Sequence, residues 1–291
     1  MCKNCCYKVE EPMRRLFVSD LDGTLLNSDA QVSDETARIL NSEIERGLNF
    51  TISTARTPTT ALKIVDKLNL RLPVMMMNGV LIYDMTSKKY IKKEAMDSSV
   101  IMVLLGLIKV KGLNCFLYGL ENEQFVAYYD SVESTSLNYF RNERIMKYDK
   151  KFTEVEDLSL VAGRDIIYCM LREPKEKLEG LYRELSVVKG VKADFYPDVY
   201  SDDYYMLEIY SDQASKKEAV DYLRKMGRFE SVTSFGDNLN DKALAEASDY
   251  FYAVSNAQKE IKLMASAVIP SNDEDGVARF IEQMMLAGER S

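Results

Sequence analysis

The sequence has no histidine among its 291 residues. Histidine-based triads and histidine metal sites are therefore excluded, and acid–base work falls to Asp, Glu, Lys, Tyr or Cys. A metal held by this chain would be bound mainly by oxygen, which favours Mg²⁺ over Zn²⁺. Long apolar runs are also missing. The longest, Val100 to Ile108, is broken by Gly106 and is too short to span a bilayer. The N-terminus is polar and lacks the pattern of a secretory signal. These absences lead to the expectation of a cytoplasmic chain with no membrane contact. No Lys/Arg block stands out, and the net charge is −8 with a pI of about 5.0. Such a chain is repelled by nucleic acid and by anionic membranes, so a small-molecule partner is expected.

Cysteine is scarce and unevenly placed. Of five, Cys2, Cys5 and Cys6 crowd the start, and only Cys115 and Cys169 lie further in. A disulfide framework would spread its cysteines, so a reducing compartment is expected. The first three lack a second ligand pair for a soft metal, and residues 1–13 read as a tail. The remaining composition, 46% hydrophobic and 29% charged, is ordinary for a globular chain. The length suits two modest domains or a core with an insert, and sets no oligomeric state.

What is present is organised around Leu16 to Leu25. A short apolar run ends in Asp20 and Asp22, followed by Gly23-Thr24. In extended chain, positions two apart share a side, so both carboxylates are expected to leave the strand together. On its own the stretch also fits a strand followed by a solvated acidic turn.

The flanking texture alternates strand and helix. Ser33 reads as an N-cap, with Ala37, Leu40 and Ile44 at helical spacing and Gly47 as a stop. A strand follows over 48–53, then a helix opened by Pro58, then a strand over 73–77 ending in Asn78-Gly79. From about Ile82 tyrosines and charges become dense. Strands are expected near 114–118, 124–129, 166–171, 191–196 and 204–210, with helices near 98–111, 134–142 and 175–185. Lys92-Lys93 reads as a solvated face. The strand–helix texture returns after residue 211. The expected fold is α/β: a Rossmann-like parallel-sheet core with helices on both faces, built from 14–83 and 212–291, with an α/β domain inserted over 84–211.

In such sheets ligands bind beyond the carboxyl ends of the strands. Five strand ends then meet on one edge: Asp20 with Asp22, Thr54, Asn78, Asp237 with Asp241, and Asn256, with Lys216 at a helix start nearby. Carboxylates facing one another must bind a cation or raise their pKa values. Mg²⁺ commonly takes carboxylates together with a substrate phosphate, to which Thr54 and Lys216 can supply a hydroxyl and a charge.

Asp20-Leu21-Asp22-Gly23-Thr24, Ser53-Thr54-Ala55-Arg56, Lys216 in Ser-Lys-Lys-Glu-Ala-Val, and Gly236-Asp237-Asn238-Leu239-Asn240-Asp241 resemble, in order, the four motifs of the haloacid dehalogenase-like phosphohydrolases. Asn78-Gly79, Ser255-Asn256-Ala257 and Asp275-Gly276-Val277-Ala278 resemble the Cof-type branch, which carries a large α/β cap between motifs two and three. The resemblance covers nearly all of the chain after residue 13. It implies a Mg²⁺-dependent phosphatase of small phosphorylated metabolites, with sugar phosphates leading. It implies Asp20 as nucleophile and Asp22 as proton donor and acceptor. Mg²⁺ ligands would be Asp20, the main-chain oxygen of Asp22, and Asp237, with Asp241 direct or through water. Phosphate contacts would come from Leu21, Thr54, Ala55, Lys216 and Asn240. Asn78 is carried as a substrate contact, or else as a loop tie. Tyr196, Asp198 and Tyr200 are cap candidates. Ala55 and Lys217 depart from the glycines usual in the family. A phosphomutase and a non-catalytic phospho-ligand sensor are the alternatives.

Overall fold

The computed structural model describes residues 14–131, 134–198, 201 and 203–288. Cys2, Cys5, Cys6 and Tyr200 lie outside the described residues. The first third contains β1 (Arg15–Ser19), α1 (Asp34–Glu45), β2 (Phe50–Ile52), α2 (Pro58–Ile64), β3 (Val74–Met76), β4 (Leu81–Asp84) and β5 (Lys89–Lys93). The Ser33 hydroxyl accepts the Thr36 N–H at 2.9 Å, with Asp34 and Glu35 in the first turn, so α1 starts where the cap chemistry requires.

The middle section contains α3 (Ser98–Val110), β6 (Phe116–Glu121), β7 (Gln124–Tyr129), α4 (Thr135–Tyr148), β8 (Phe152–Glu154), β9 (Ile166–Glu173), α5 (Lys175–Leu185), β10 (Val191–Pro197) and β11 (Tyr205–Ser211). The last third contains α6 (Lys216–Gly227), β12 (Ser231–Gly236), α7 (Lys242–Ala247), β13 (Tyr250–Val254), α8 (Lys259–Met264), β14 (Ala267–Ile269) and α9 (Gly276–Gly288).

Among the described residues a five-stranded parallel sheet runs β14-β13-β12-β1-β2. It is drawn from both ends of the chain, with β1 between β12 and β2. Leu16 and Val18 of β1 are wholly buried. The middle section makes a separate six-stranded sheet, β10-β11-β9-β6-β7-β8. Leu104 and Ile108 of α3 and Leu178 and Leu181 of α5 cover one face of it, packing on Cys169, Leu207 and Ile209. Phe116, Tyr118, Tyr168 and Tyr210 of the other face join the hydrophobic cluster of the core.

The 73–77 run departs from expectation. It touches the parallel sheet through the Ser53–Met75 bridge and otherwise pairs antiparallel with β4, which pairs with β5. Met77, Asn78 and Gly79 all have positive φ, so the chain turns back on itself instead of extending the strand. Lys92 and Lys93 are likewise not a plain solvated face. They end β5, Lys92 over the Tyr222 ring and 2.8 Å from Glu94, Lys93 2.9 Å from Asp165.

Lys150 is a buried cation in the cap. It is 7% exposed, with its ammonium over the rings of Tyr118 and Phe125 at 4.8 and 5.4 Å. Burial, helped by Arg144 and opposed by Glu208, lowers its pKa to about 7. Between that value and the unfolded-state value near 10.5, the unfolded chain binds more protons, so stability rises with pH across this window. Lys150→Met is therefore expected to stabilise the protein below pH 7 by on the order of 4 kcal/mol. The gain should shrink to about 1 kcal/mol or less at pH 10. Paired thermal melts at the two pH values check this, and an equal gain at both would contradict the linkage.

Candidate active site

The site is assembled where β1 and β12 end. The Asp20 N–H donates to the Phe235 carbonyl at 3.0 Å, fixing the first residue beyond β1 against β12. The chain then turns tightly over Leu21–Leu25. Gly23, at φ +76°, makes this possible, since a Cβ there would lie 2.6 Å from Asp237 Oδ2. Thr24 Oγ1 donates to Asp237 Oδ1 at 2.7 Å, and Asn256 Nδ2 donates to the Gly23 carbonyl at 2.7 Å. Asn256 therefore ties two loops together.

Asp20, Asp237 and Asp241 bring carboxylate oxygens within 4.8 Å of one another. Lys216 Nζ donates to Asp20 Oδ1 at 2.5 Å and to Asp241 Oδ1 at 2.7 Å. The other Asp241 oxygen accepts the N–H groups of Asp237 and Asn238 at 2.9 and 3.0 Å. The Ser215 hydroxyl accepts the Glu218 N–H at 2.9 Å and starts α6, which turns Lys216 inward to 1% exposure. Lys217, its neighbour, instead pairs with Asp221 on the exposed side.

Burial, and then the charge of Asp241, raise the Asp20 carboxyl well above its usual range, against the pull of Lys216. Burial raises Asp237 to about 6, opposed by the Thr24 hydrogen bond. Burial works against the Lys216 charge, but Asp20 and Asp241 overcome it and hold the lysine protonated. One ammonium against three carboxylates, two of them buried and Asp237 half-buried, leaves excess negative charge in an all-oxygen donor set. That combination fits a hard divalent cation.

Asp22 does not join this group. Both its oxygens accept from Arg56, at 2.7 Å from Nε and 2.5 Å from Nη2, and its side chain is 52% exposed. The strand has already become a turn at Leu21, so the two-residue period that was to carry both aspartates together no longer applies.

Thr54 is buried. Its hydroxyl accepts the Arg56 N–H at 3.1 Å and its carbonyl accepts the Asn78 N–H at 3.1 Å. Asn78 in turn reaches the cap, Nδ2 donating to Asp194 at 3.5 Å. Gly79 lets this loop lie against α6, since a Cβ there would fall 2.1 Å from the Ser215 carbonyl. Leu21 is wholly buried, while Ala55 and Asn240 are exposed. Ala55 is not among the positive-φ residues, so its methyl group is tolerated.

Of the cap candidates, Asp198 is committed to Arg172 at 2.6 Å in a buried pair, and Tyr196 is 36% exposed. Sequence reasoning assigned no role to Arg56, Thr24, Asp194 or Glu208. Arg56 stands inside a recognised motif, but its partner is 34 residues away and no local pattern announces the pair.

The profile of the haloacid dehalogenase-like hydrolases matches residues 17–281. Phosphatase YwpJ of Bacillus subtilis is 27% identical, with 93% of this chain and 100% of the relative aligned. A second Bacillus subtilis protein, 5-amino-6-(5-phospho-D-ribitylamino)uracil phosphatase YwtE, is 26% identical over 91% of this chain and 96% of its own length. A haloacid dehalogenase-like hydrolase from Bacteroides thetaiotaomicron superposes with a TM-score of 0.76 at 23% identity, covering 93% of this chain and 99% of that one. With the motifs, the capped fold and the match over nearly its whole length, the chain belongs to the haloacid dehalogenase-like hydrolases, in their Cof-type branch.

Proposed function

We propose that this protein is a Mg²⁺-dependent phosphatase that hydrolyses small phosphate monoesters, sugar or polyol phosphates foremost, through an aspartyl-phosphate on Asp20. The observation that carries this reading is the cluster of Asp20, Asp237 and Asp241 at the buried Lys216, beside Thr54. The name of one relative adds support, since the substrate it states carries phosphate on a ribityl chain. Mg²⁺ would be held by Asp20 and Asp237, with Asp241 directly or through water and the Asp22 main-chain oxygen that the family resemblance implies. When bound it would offset the negative charge of the phosphate.

Lys216 fixes one Asp20 oxygen and adds a positive charge where a phosphate dianion must approach an anion. Asp20 attacks phosphorus, the bond from phosphorus to the alcohol oxygen breaks, and Asp22 protonates that oxygen. Water then attacks the phosphoryl group of the acyl phosphate, Asp22 takes its proton, and Asp20 is regenerated with release of inorganic phosphate. Thr54, the backbone of Leu21 and Ala55, and Asn240 would orient the phosphate. The unbridged Cys115 and Cys169 suit a reducing compartment, and we place the activity in the cytoplasm.

Release of inorganic phosphate from a metabolite-ester panel, with Mg²⁺ and with excess chelator, tests the reading. Mg²⁺-dependent turnover is expected. Absence of turnover across the panel overturns it, and transfer of phosphate between positions of one sugar without net release points to a mutase.

In the arrangement observed, Asp22 must leave Arg56 to give a proton to an alcohol. Arg56 then serves to return that carboxylate to one place between turnovers. Arg56→Ala is expected to lower kcat about tenfold on alkyl phosphates. The effect on p-nitrophenyl phosphate, whose leaving group departs without a proton, should be much smaller. Equal losses on both would show that Arg56 acts otherwise.

A further inference from the structure

The cap sheet carries a polar row on the face that α3 and α5 leave open. The strand register sets Asp194 opposite Glu208, and Tyr210 opposite both Lys192 and Tyr168. Directly opposed residues share a face, so these side chains stand together. Ile209 and Cys169, one position out of phase, pack under the helices on the far side. The hydrogen bond from Asn78 to Asp194 fixes which way the row looks: toward the loop of Asn78, whose N–H donates to the Thr54 carbonyl.

The row is rich in acceptors. Tyr210 donates its hydroxyl to Asp194 at 2.7 Å, and Tyr168 donates to Glu208 at 2.7 Å. The Tyr196 hydroxyl also bonds Glu208. A carboxylate offers about four lone-pair positions, so each acid keeps capacity after these bonds. The stacked rings of Tyr168 and Tyr210, 5.0 Å apart and 7° from parallel, hold the two hydroxyls in place. Asn78 adds an independent sign of a missing partner. The residue is 8% exposed, its Nδ2 is used on Asp194, and its Oδ1 is buried with no hydrogen-bond partner among the described residues. Buried acceptors are normally satisfied, and an orphan beside a catalytic cleft is where a ligand donor fits. Of the cations on this face, Lys192 donates to the Ala214 carbonyl and lies over the Tyr210 ring, and Lys150 is buried over the Tyr118 and Phe125 rings. Two carboxylates and an orphan carbonyl oxygen match a ligand that brings several donors and no second negative charge.

We propose that Asn78, Asp194 and Glu208 form the leaving-group subsite and select a neutral polyhydroxylated alcohol over an apolar or anionic one. This rests on the phosphatase reading above. Hydroxyls of the alcohol donate to the Asn78 Oδ1 and to the unused lone pairs of the two acids. A second phosphate or a carboxylate on the alcohol meets repulsion.

The test compares ribitol phosphate, pentyl phosphate and ribitol bisphosphate as substrates of the wild-type protein, Asp194→Asn and Glu208→Gln. Wild type is expected to prefer ribitol phosphate over pentyl phosphate in kcat/KM by tenfold or more. Each variant should reduce that preference by about tenfold, mainly through KM, and should narrow the discrimination against the bisphosphate. Equal wild-type rates on ribitol and pentyl phosphate overturn the subsite and leave the phosphatase reading standing. Wild-type inactivity on every ester overturns that reading instead. Variants that lose activity on all substrates with the preference intact also overturn the subsite, since the acids would then only support the fold.

Discussion

Asp20→Asn is expected to abolish turnover, with kcat falling on the order of 10⁴-fold or more, while the protein remains folded. The carboxylate removed stands first beyond β1, and an amide oxygen is too weak a nucleophile to replace it. The stability side of the prediction is less usual. Asp20 sits in a group where burial and Asp241 both oppose its ionised form. Replacing it by a neutral amide removes one of three mutually repelling charges, and Lys216 keeps its bond to Asp241. In chelator, the variant is therefore expected to melt no lower than wild type. Acid-quenched wild type incubated with substrate should carry a phosphoryl group on the peptide containing Asp20, and the variant should not. Retention of near-wild-type kcat by Asp20→Asn would sink the nucleophile assignment, and a sharply lower melting temperature would show that the carboxylate is structural.

The two kinds of information in the sequence differ in reach. Strand ends, caps and short motifs are local, and they are enough to put Asp20, Lys216, Asp237 and Asp241 on neighbouring elements. The choice between Lys216 and Lys217 was legible for the same reason. Ser215 caps α6 and fixes which residue of the first turn points inward. Pairings across distance were not legible. Nothing near Asp22 says that its carboxylate will meet Arg56, because that contact depends on how the Leu21–Leu25 turn rotates the side chain out of the strand. The antiparallel β3-β4-β5 unit was hidden by the apolar run over 73–77, which fits a parallel core strand equally well until the positive φ of Asn78 is known. The cap row was hidden for a further reason. Tyrosines are common in sheets whatever they do, and only the register shows that Tyr168, Tyr210, Asp194 and Glu208 share a face.

The same charge balance that makes Asp20→Asn tolerable makes Lys216→Met costly. Lys216 is the cation that touches both Asp20 and Asp241, and it is 1% exposed, so solvent cannot take over its role. Removing one partner from a buried ionic group leaves uncompensated charge, which typically costs about 3–5 kcal/mol. With Asp20, Asp237 and Asp241 all left facing one another, the variant is expected to melt well below wild type in chelator. Methionine nearly matches the lysine stem in volume, so the loss would report charge more than packing. Added Mg²⁺ should then raise the melting temperature of Lys216→Met by more than it raises that of wild type, because a divalent cation supplies charge that the variant lacks entirely. Even with the fold restored by metal, kcat is expected to stay about 10²–10³-fold low, since the positive charge facing the incoming phosphate is gone. Melts with and without Mg²⁺, followed by steady-state assays at saturating Mg²⁺, separate the two effects. A variant that melts like wild type in chelator would mean the three carboxylates share protons rather than depend on Lys216. Full recovery of kcat by Mg²⁺ would confine the lysine to holding the site together.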